Sequence, residues 1–272
     1  MDCISFCRFC GLELMDSVPD HSTLSRFRSE LTRKKLYQPI MLMVNKQLAE
    51  KGLMVKGTAI VDASLTLSPF SPKGKLDHQM AEDRKEDTRS DTEVMEEEKY
   101  HQKKEEESPN ADHEARWLKK RKKTYFGYKR HIATNDDGLI LGVHTTPANE
   151  HDSQGLGDLM EKVPEDERTE VMGDKGYKSN KNDQLLEEMG SKSLIMEKGY
   201  RHKPLTKEQK KRNKEISKKR WRVEQTFGGL HRWFGCHITR LKGLEKVHHQ
   251  HILEAIAYNL KRSPGLVHLL VK

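Results

Sequence analysis

Apolar residues are scarce in this chain: 34% of its 272 residues are hydrophobic and 6% aromatic. One sizeable core is expected, with much of the chain outside it. No apolar run approaches the roughly eighteen residues that a membrane span needs, so a membrane partner is not expected. The opening MDCISFCRFCGLEL lacks the basic stretch and cleavage site of a signal peptide. The expected location is cytoplasmic, associated with the nucleoid when DNA is bound. Cysteines number four. Cys3, Cys7 and Cys10 cluster without a second Cys/His pair at finger spacing, and Cys236 stands alone, so a structural zinc site is not expected.

Charge is abundant, and it is unevenly placed. Lys and Arg total 50 against 42 Asp and Glu, for a net +8, which suits a polyanionic partner. Asp77 to Glu107 holds thirteen acids and six bases, whereas Glu197 to Arg222 holds twelve bases and three acids. The basic surface is therefore local. The acidic run is too poor in apolar and aromatic residues to fold by itself, and residues 68–111 are expected to be a solvated, disordered or loosely helical insertion.

Before that insertion, SVPDHSTLSRFRSELTRKKLYQPIMLMVNKQLAEKG reads as two helical stretches. Asp20 or Ser22 is the expected N-cap, and Leu24, Phe27 and Leu31 share a face. The apolar TAIVDASL then predicts a buried strand carrying Asp62. After the insertion, TYFGYKRHIAT and LILGVHTT read as strands joined by a turn at Asn135-Asp136-Asp137-Gly138. A helix capped by Asp152 or Ser153 follows, with Leu156, Leu159 and Met160 buried. Next come a strand ending at Asp174, a short helix in NKNDQLLEEMG, a strand in SKSLIMEKG, a long basic helix through Trp233, and a last helix from about Leu244 to Leu260. Three strands, then helix, strand, helix, strand and helices make an α/β fold: a mixed sheet flanked by helices.

Three carboxylates stand out. Asp62 interrupts an apolar strand, where an uncompensated charge is costly. Asp174, in VMGDKGY, could instead cap a neighbouring turn. Glu224 lies in KKRWRVEQTFGGLHRWFG, where Arg220, Glu224 and His231 recur at helical spacing; the plainer alternative for Arg220 and Glu224 is a surface i,i+4 ion pair. Lys218, Lys219, Arg222 and Arg232 surround them. Trp221, Phe227, Trp233 and Phe234 could stack on a base, although their helical spacing is more often that of a core. His248, His249 and His251 are expected on a solvated helix face, His131 as a structural or supporting residue, and Asp152 as a cap.

Taken together, PDHSTLSRFR, IVDAS, YFGYKRHIATNDDGLILGVHTTPANEHDS, GDKGY and RWRVEQTFGGLHRWFG closely resemble bacterial insertion-sequence transposases of the DDE class, in the insertion sequence four and five groups. The resemblance implies a ribonuclease-H-like catalytic core over residues 53–264 and an N-terminal helical segment over 1–52, read as a shortened remnant of an end-binding region. It further implies a metal-holding and catalytic triad of Asp62, Asp174 and Glu224, with DNA contacts from Lys218, Lys219, Arg220, Arg222, His231 and Arg232. The family pattern around the glutamate places tyrosine seven residues before it and lysine or arginine seven after. This chain has Ser217 and His231 there.

Oxygen ligands suit Mg2+, with Mn2+ able to substitute. Two such ions about 3.5 to 4 Å apart can activate a nucleophile and stabilise the leaving oxygen at one phosphodiester. The expected activity is cleavage at transposon-end DNA followed by strand transfer into target DNA, performed by a homodimer on paired ends. Two alternatives stand beside it: a truncated, catalytically weak DNA-binding relative that interferes with full-length transposases, and a simple metal-dependent nuclease.

Overall fold

A computed structural model describes residues 20–54, 57–72, 109–120, 122–199 and 204–270, together with isolated positions at 8, 11, 13 and 16. The acidic run from Asp77 to Glu107 and the cluster of Cys3, Cys7 and Cys10 lie outside the described residues.

A six-stranded mixed sheet organises the chain. Its central strand is β1 (Thr58–Leu67). On one side β3 (Lys123–Thr134) runs antiparallel to β1, and β4 (Ile140–Pro147) runs antiparallel to β3. On the other side β5 (Glu170–Gly173) and then β6 (Lys192–Ile195) run parallel to β1. The order β4-β3-β1-β5-β6, with its one antiparallel interior strand, is the mixed, helix-flanked arrangement of a ribonuclease-H-like domain. The β3–β4 hairpin is set locally: Asn135 Oδ1 accepts from the amides of Asp137 (3.1 Å) and Leu139 (2.9 Å), and Gly138 takes φ 78°.

One strand was not expected. β2 (Arg116–Lys120) pairs with the outer half of β3. Its sequence RWLKK has three basic residues out of five, a composition tolerated at a sheet edge but weak as a strand signal. The expected insertion is also tied to the sheet at its start and closed across its two ends. Ser68 N donates to the Phe126 carbonyl (2.9 Å) and Asp112 N to the Phe70 carbonyl (2.8 Å).

Helices close both faces. α1 (His21–Arg33) and α2 (Tyr37–Glu50) precede the sheet. α3 (Leu156–Met160) and α4 (Asn180–Glu188) are the crossovers that lead to β5 and β6. α5 (Lys207–Phe234) and α6 (Leu244–Leu270) complete the chain. Alternation along β1 feeds two cores: Val61 packs with Ala133, Leu156, Leu159, Met160 and Leu186, whereas Ile60 packs with Ile132, Val223, Phe227, Leu230 and Ile256. Each fully buried side chain of this kind contributes about 1.5 to 3 kcal/mol.

Asp20 caps α1, accepting from Thr23 N, and Leu24 and Phe27 of the shared face are exposed to solvent. Other expectations are corrected by packing. α6 runs ten residues beyond Leu260 and contains Pro264. The proline leaves the Leu260 carbonyl without its helical donor, and Ser263 Oγ supplies one at 3.0 Å. His248, His249 and His251 of α6 are not solvated. His248 and His251 meet the Thr145 hydroxyl on β4 at 3.1 and 2.8 Å, and His249 meets that of Thr32 on α1 at 3.1 Å.

Candidate active site

Asp62 and Asp174 are brought together by strand register. β1 and β5 are aligned Ile60 with Met172, and continuing that register by two residues brings Asp62, midway along β1, beside Asp174, the residue that follows β5, about 4.8 Å apart in the pairing direction. Past β5 the backbone turns, and Asp174 Oδ1 accepts from Gly176 N at 2.7 Å. The expected alternative, a turn-capping aspartate, is thus geometrically present, and the second oxygen of the carboxylate takes no part in it. At Gly176 a Cβ would come within 2.9 Å of Asp174 Oδ1 and 3.4 Å of Asp152 Oδ2, so a larger residue there would displace the Asp174 carboxylate.

Beneath this turn lies buried Tyr177, whose hydroxyl meets His131 Nδ1 at 3.1 Å; His131 Nε2 meets Thr146 Oγ1 at 3.0 Å. Burial pushes the His131 pKa down to about 3, so it is a neutral prop. Asp152 is not a helix cap. His151 caps the turn by accepting from Ser153 N, and Asp152 pairs with Lys129 at 2.8 Å. Asp152 and Lys129 thus belong to the rim of the site, a pairing across 23 residues that no local pattern announces.

The third carboxylate arrives on α5. Ile216, Val223, Phe227 and Leu230 bury one stripe of this helix against the sheet. Arg220 stands at the edge of that stripe and reaches inward: its Nη2 lies 3.1 Å from Asp62 Oδ2 with both side chains mostly covered, 12% and 21% exposed. Among the described residues Arg220 therefore pairs with Asp62 rather than with Glu224 one turn away, and its buried Nε has no partner. Glu224 is exposed.

The electrostatics join the three. Burial pushes the Asp62 pKa up to about 6, Arg220 opposes this, and the negative charges of Asp174 and Glu224 push it further upward. No three Asp, Glu, His or Cys side chains among the described residues already converge at metal-ligand distance. The donor set nevertheless fits a divalent cation. Hard carboxylate oxygens surround a half-buried place where negative charge accumulates, and a single guanidinium is the cation on Asp62.

Of the other expected DNA-contacting residues, Lys218, Lys219, His231 and Arg232 are exposed on α5, and half-buried Arg222 lies 4.1 Å over the ring of Trp221. Only Phe227 of the four aromatics is core. Trp221, Trp233 and Phe234 are 47%, 41% and 36% exposed, because the helix is covered on one side only. His231 has its pKa lowered by burial, with Arg130 and His237 adding to the effect. It is therefore neutral at pH 7.

Comparison with known proteins agrees with this geometry. The sequence model described as "Transposase DDE domain" matches residues 56–260, and one described as "Transposase domain (DUF772)" matches residues 2–30. A curated relative, the transposase for insertion sequence element IS1106 from Neisseria meningitidis serogroup B, is 37% identical over 240 residues, covering 88% of this chain and 76% of the relative. No solved structure matches the chain.

Proposed function

Because the chain belongs to the DDE transposases of insertion sequences, we propose that it cuts transposon-end DNA and joins the freed 3′ end to target DNA at Asp62, Asp174 and Glu224. The observation that carries this reading is the half-buried Asp62 carboxylate, its pKa pushed to about 6 by burial and by the neighbouring charges of Asp174 and Glu224. Such a gathering of carboxylates is relieved by cations. Mg2+, with Mn2+ as substitute, is the proposed cofactor: two ions would be held by the three carboxylates and would supply Lewis-acid polarisation of the phosphodiester.

The chain's own residues account for the rest. Asp62 and Asp174 are presented by the sheet, and α5 brings Glu224 over them. Arg220 is the exchangeable member: it holds Asp62 in the free protein, and when it lets go its guanidinium is placed to clamp a DNA phosphate. Lys218, Lys219, Arg222 and Arg232 extend the phosphate contacts along α5, and neutral His231 adds a hydrogen bond without charge. In the first step water attacks phosphorus and the 3′ oxygen leaves as a hydroxyl. In the second that hydroxyl attacks a target phosphodiester, whose own 3′ oxygen leaves. We read residues 53–264 as the catalytic domain, interrupted by 68–111 and preceded by a helical segment over 1–52, and the working unit as a homodimer on paired ends.

The test is cleavage and strand transfer with Mg2+ on a duplex carrying the element's inverted-repeat ends, comparing the protein with Glu224→Gln. Loss of both steps in the variant supports the reading. DNA binding without reaction in either protein would favour a non-catalytic relative, and equal cutting of unrelated DNA a simple nuclease.

A further inference from the structure

Away from the carboxylates, a groove of about 700 Å3 opens between α1, α6 and the segment that joins α5 to α6. Its rim carries Arg28, Arg240 and Lys246, all exposed and none ion-paired with any described residue. The acid that lines it, Glu254, is engaged by Arg130 and by Gln250 Nε2, so the groove keeps a positive balance. Its floor is apolar and open: Phe234, Ile238 and Leu253 are 36%, 44% and 43% exposed, beside the stacked rings of Tyr37 and His249, 4.8 Å apart.

The groove wall is attached to the strand that carries Asp62. Leu67 N donates to the His237 carbonyl and Thr239 N to the Leu67 carbonyl, both at 2.8 Å, which fixes the groove wall to the end of the strand that carries Asp62. Five residues of strand separate Asp62 from Leu67, about 17 Å. That is roughly the span of five nucleotides at 3.4 Å each along one strand. On α5, Glu224, His231 and Phe234 mark the same path.

Charge on the rim and apolar surface on the floor select the occupant. Duplex DNA turns its phosphates outward and would meet only the rim, whereas unpaired nucleotides offer both phosphates and flat apolar faces. We propose that the groove binds unpaired nucleotides of the DNA strand leading away from the reacting phosphate, with bases on Phe234, Ile238 and Leu253 and phosphates against Arg28, Arg240 and Lys246. This rests on the end-cleaving reading above.

The test uses fluorescence anisotropy of the full chain in EDTA, with the inverted-repeat duplex either blunt or carrying an eight-nucleotide single-stranded extension on one strand or the other. The protein should bind one extended duplex about tenfold more tightly than the blunt one, the worth of about one stacked base. Ile238→Ser, at an exposed floor position, should lose that preference and keep its affinity for the blunt duplex, and Arg240→Glu, on the rim, should weaken the extended duplex more than the blunt one. Equal binding of blunt and extended duplexes, or equal weakening of both by the variants, would overturn the proposal and leave the end-cleaving reading intact. An unchanged preference in Ile238→Ser with loss of self-association by sedimentation would also overturn it, assigning the groove to a second copy of this chain. Failure of the protein to bind any of these DNAs would remove the end-cleaving reading as well.

Discussion

Asp62 and Asp174 are carried by neighbouring strands, Asp62 midway along β1 and Asp174 just past the end of β5, with Asp62 already paired and desolvated, whereas Glu224 stands on the open side of a helix that is buried along one stripe only. The sheet-borne half of the site is built when the protein folds. Its register, the Gly176 turn and the Tyr177–His131 prop hold it in place. The helix-borne half is divided: Arg220 and Glu224 are one turn apart, one drawn in to Asp62 and the other exposed. The difference teaches that a fold can store unfavourable negative charge on its strands while a helix carries the cation that opposes it, here Arg220.

The largest effect separates the two halves directly. Asp62→Asn, Asp174→Asn and Glu224→Gln should each lower cleavage more than about 100-fold, beyond what loss of an outer partner usually costs a metal site. In EDTA, however, thermal unfolding should show Asp62→Asn more stable than the protein itself at pH 8 and Glu224→Gln unchanged. Equal stability shifts in the two would break the comparison.

Arg220→Gln comes next. Removing the guanidinium from Asp62 should tighten Mn2+ binding about tenfold, the value of one charge-assisted contact, while weakening binding to DNA. Calorimetric titration with Mn2+ and anisotropy with a duplex would read the two opposite changes. Parallel losses in both would show Arg220 to be a structural residue.

The pH dependence is smaller and has a definite sign. Asp62 has its folded pKa raised from 3.8 to about 6, so its ionisation disfavours the fold: the penalty is absent below the unfolded value, grows as pH rises to about 6, and is constant above. It amounts to at most about 3 kcal/mol. The stability advantage of Asp62→Asn over the protein should therefore shrink as pH falls from 8 to 4, and the protein's Mn2+ affinity should weaken as pH drops through about 6. A flat difference between the two proteins across that range would contradict the assignment. The smallest effect is His231→Lys, which adds one phosphate contact. Its signature is a salt dependence of duplex binding steeper by about 0.9 in log–log slope.

Much of this architecture was legible because its signals are local. The β-branched runs around Asp62 and before Asp174, the Asn135–Gly138 turn and the Asp20 cap of α1 each act within a few residues. What was not legible depends on partners distant in sequence. β2 is a strand because β3 offers it an edge, not because RWLKK alternates. Asp152 reads as a cap until Lys129 is seen beside it. The α6 histidines read as solvated until the hydroxyls of Thr145 and Thr32 are placed against them. The tryptophans of α5 show the converse, since helical spacing alone does not say which side of a half-covered helix is left open. Arg220 illustrates both limits: its position beside Glu224 was apparent, and its attachment to Asp62 required the fold.

The most direct test of the central claim is the binding of Mn2+, followed by its electron paramagnetic resonance signal, to the protein and to Asp62→Asn, Asp174→Asn and Glu224→Gln in the presence of an inverted-repeat duplex. If the three carboxylates together hold the metal, each variant loses at least about tenfold in affinity. Binding by all three variants as tight as that of the unaltered protein would place the metal elsewhere and contradict the account.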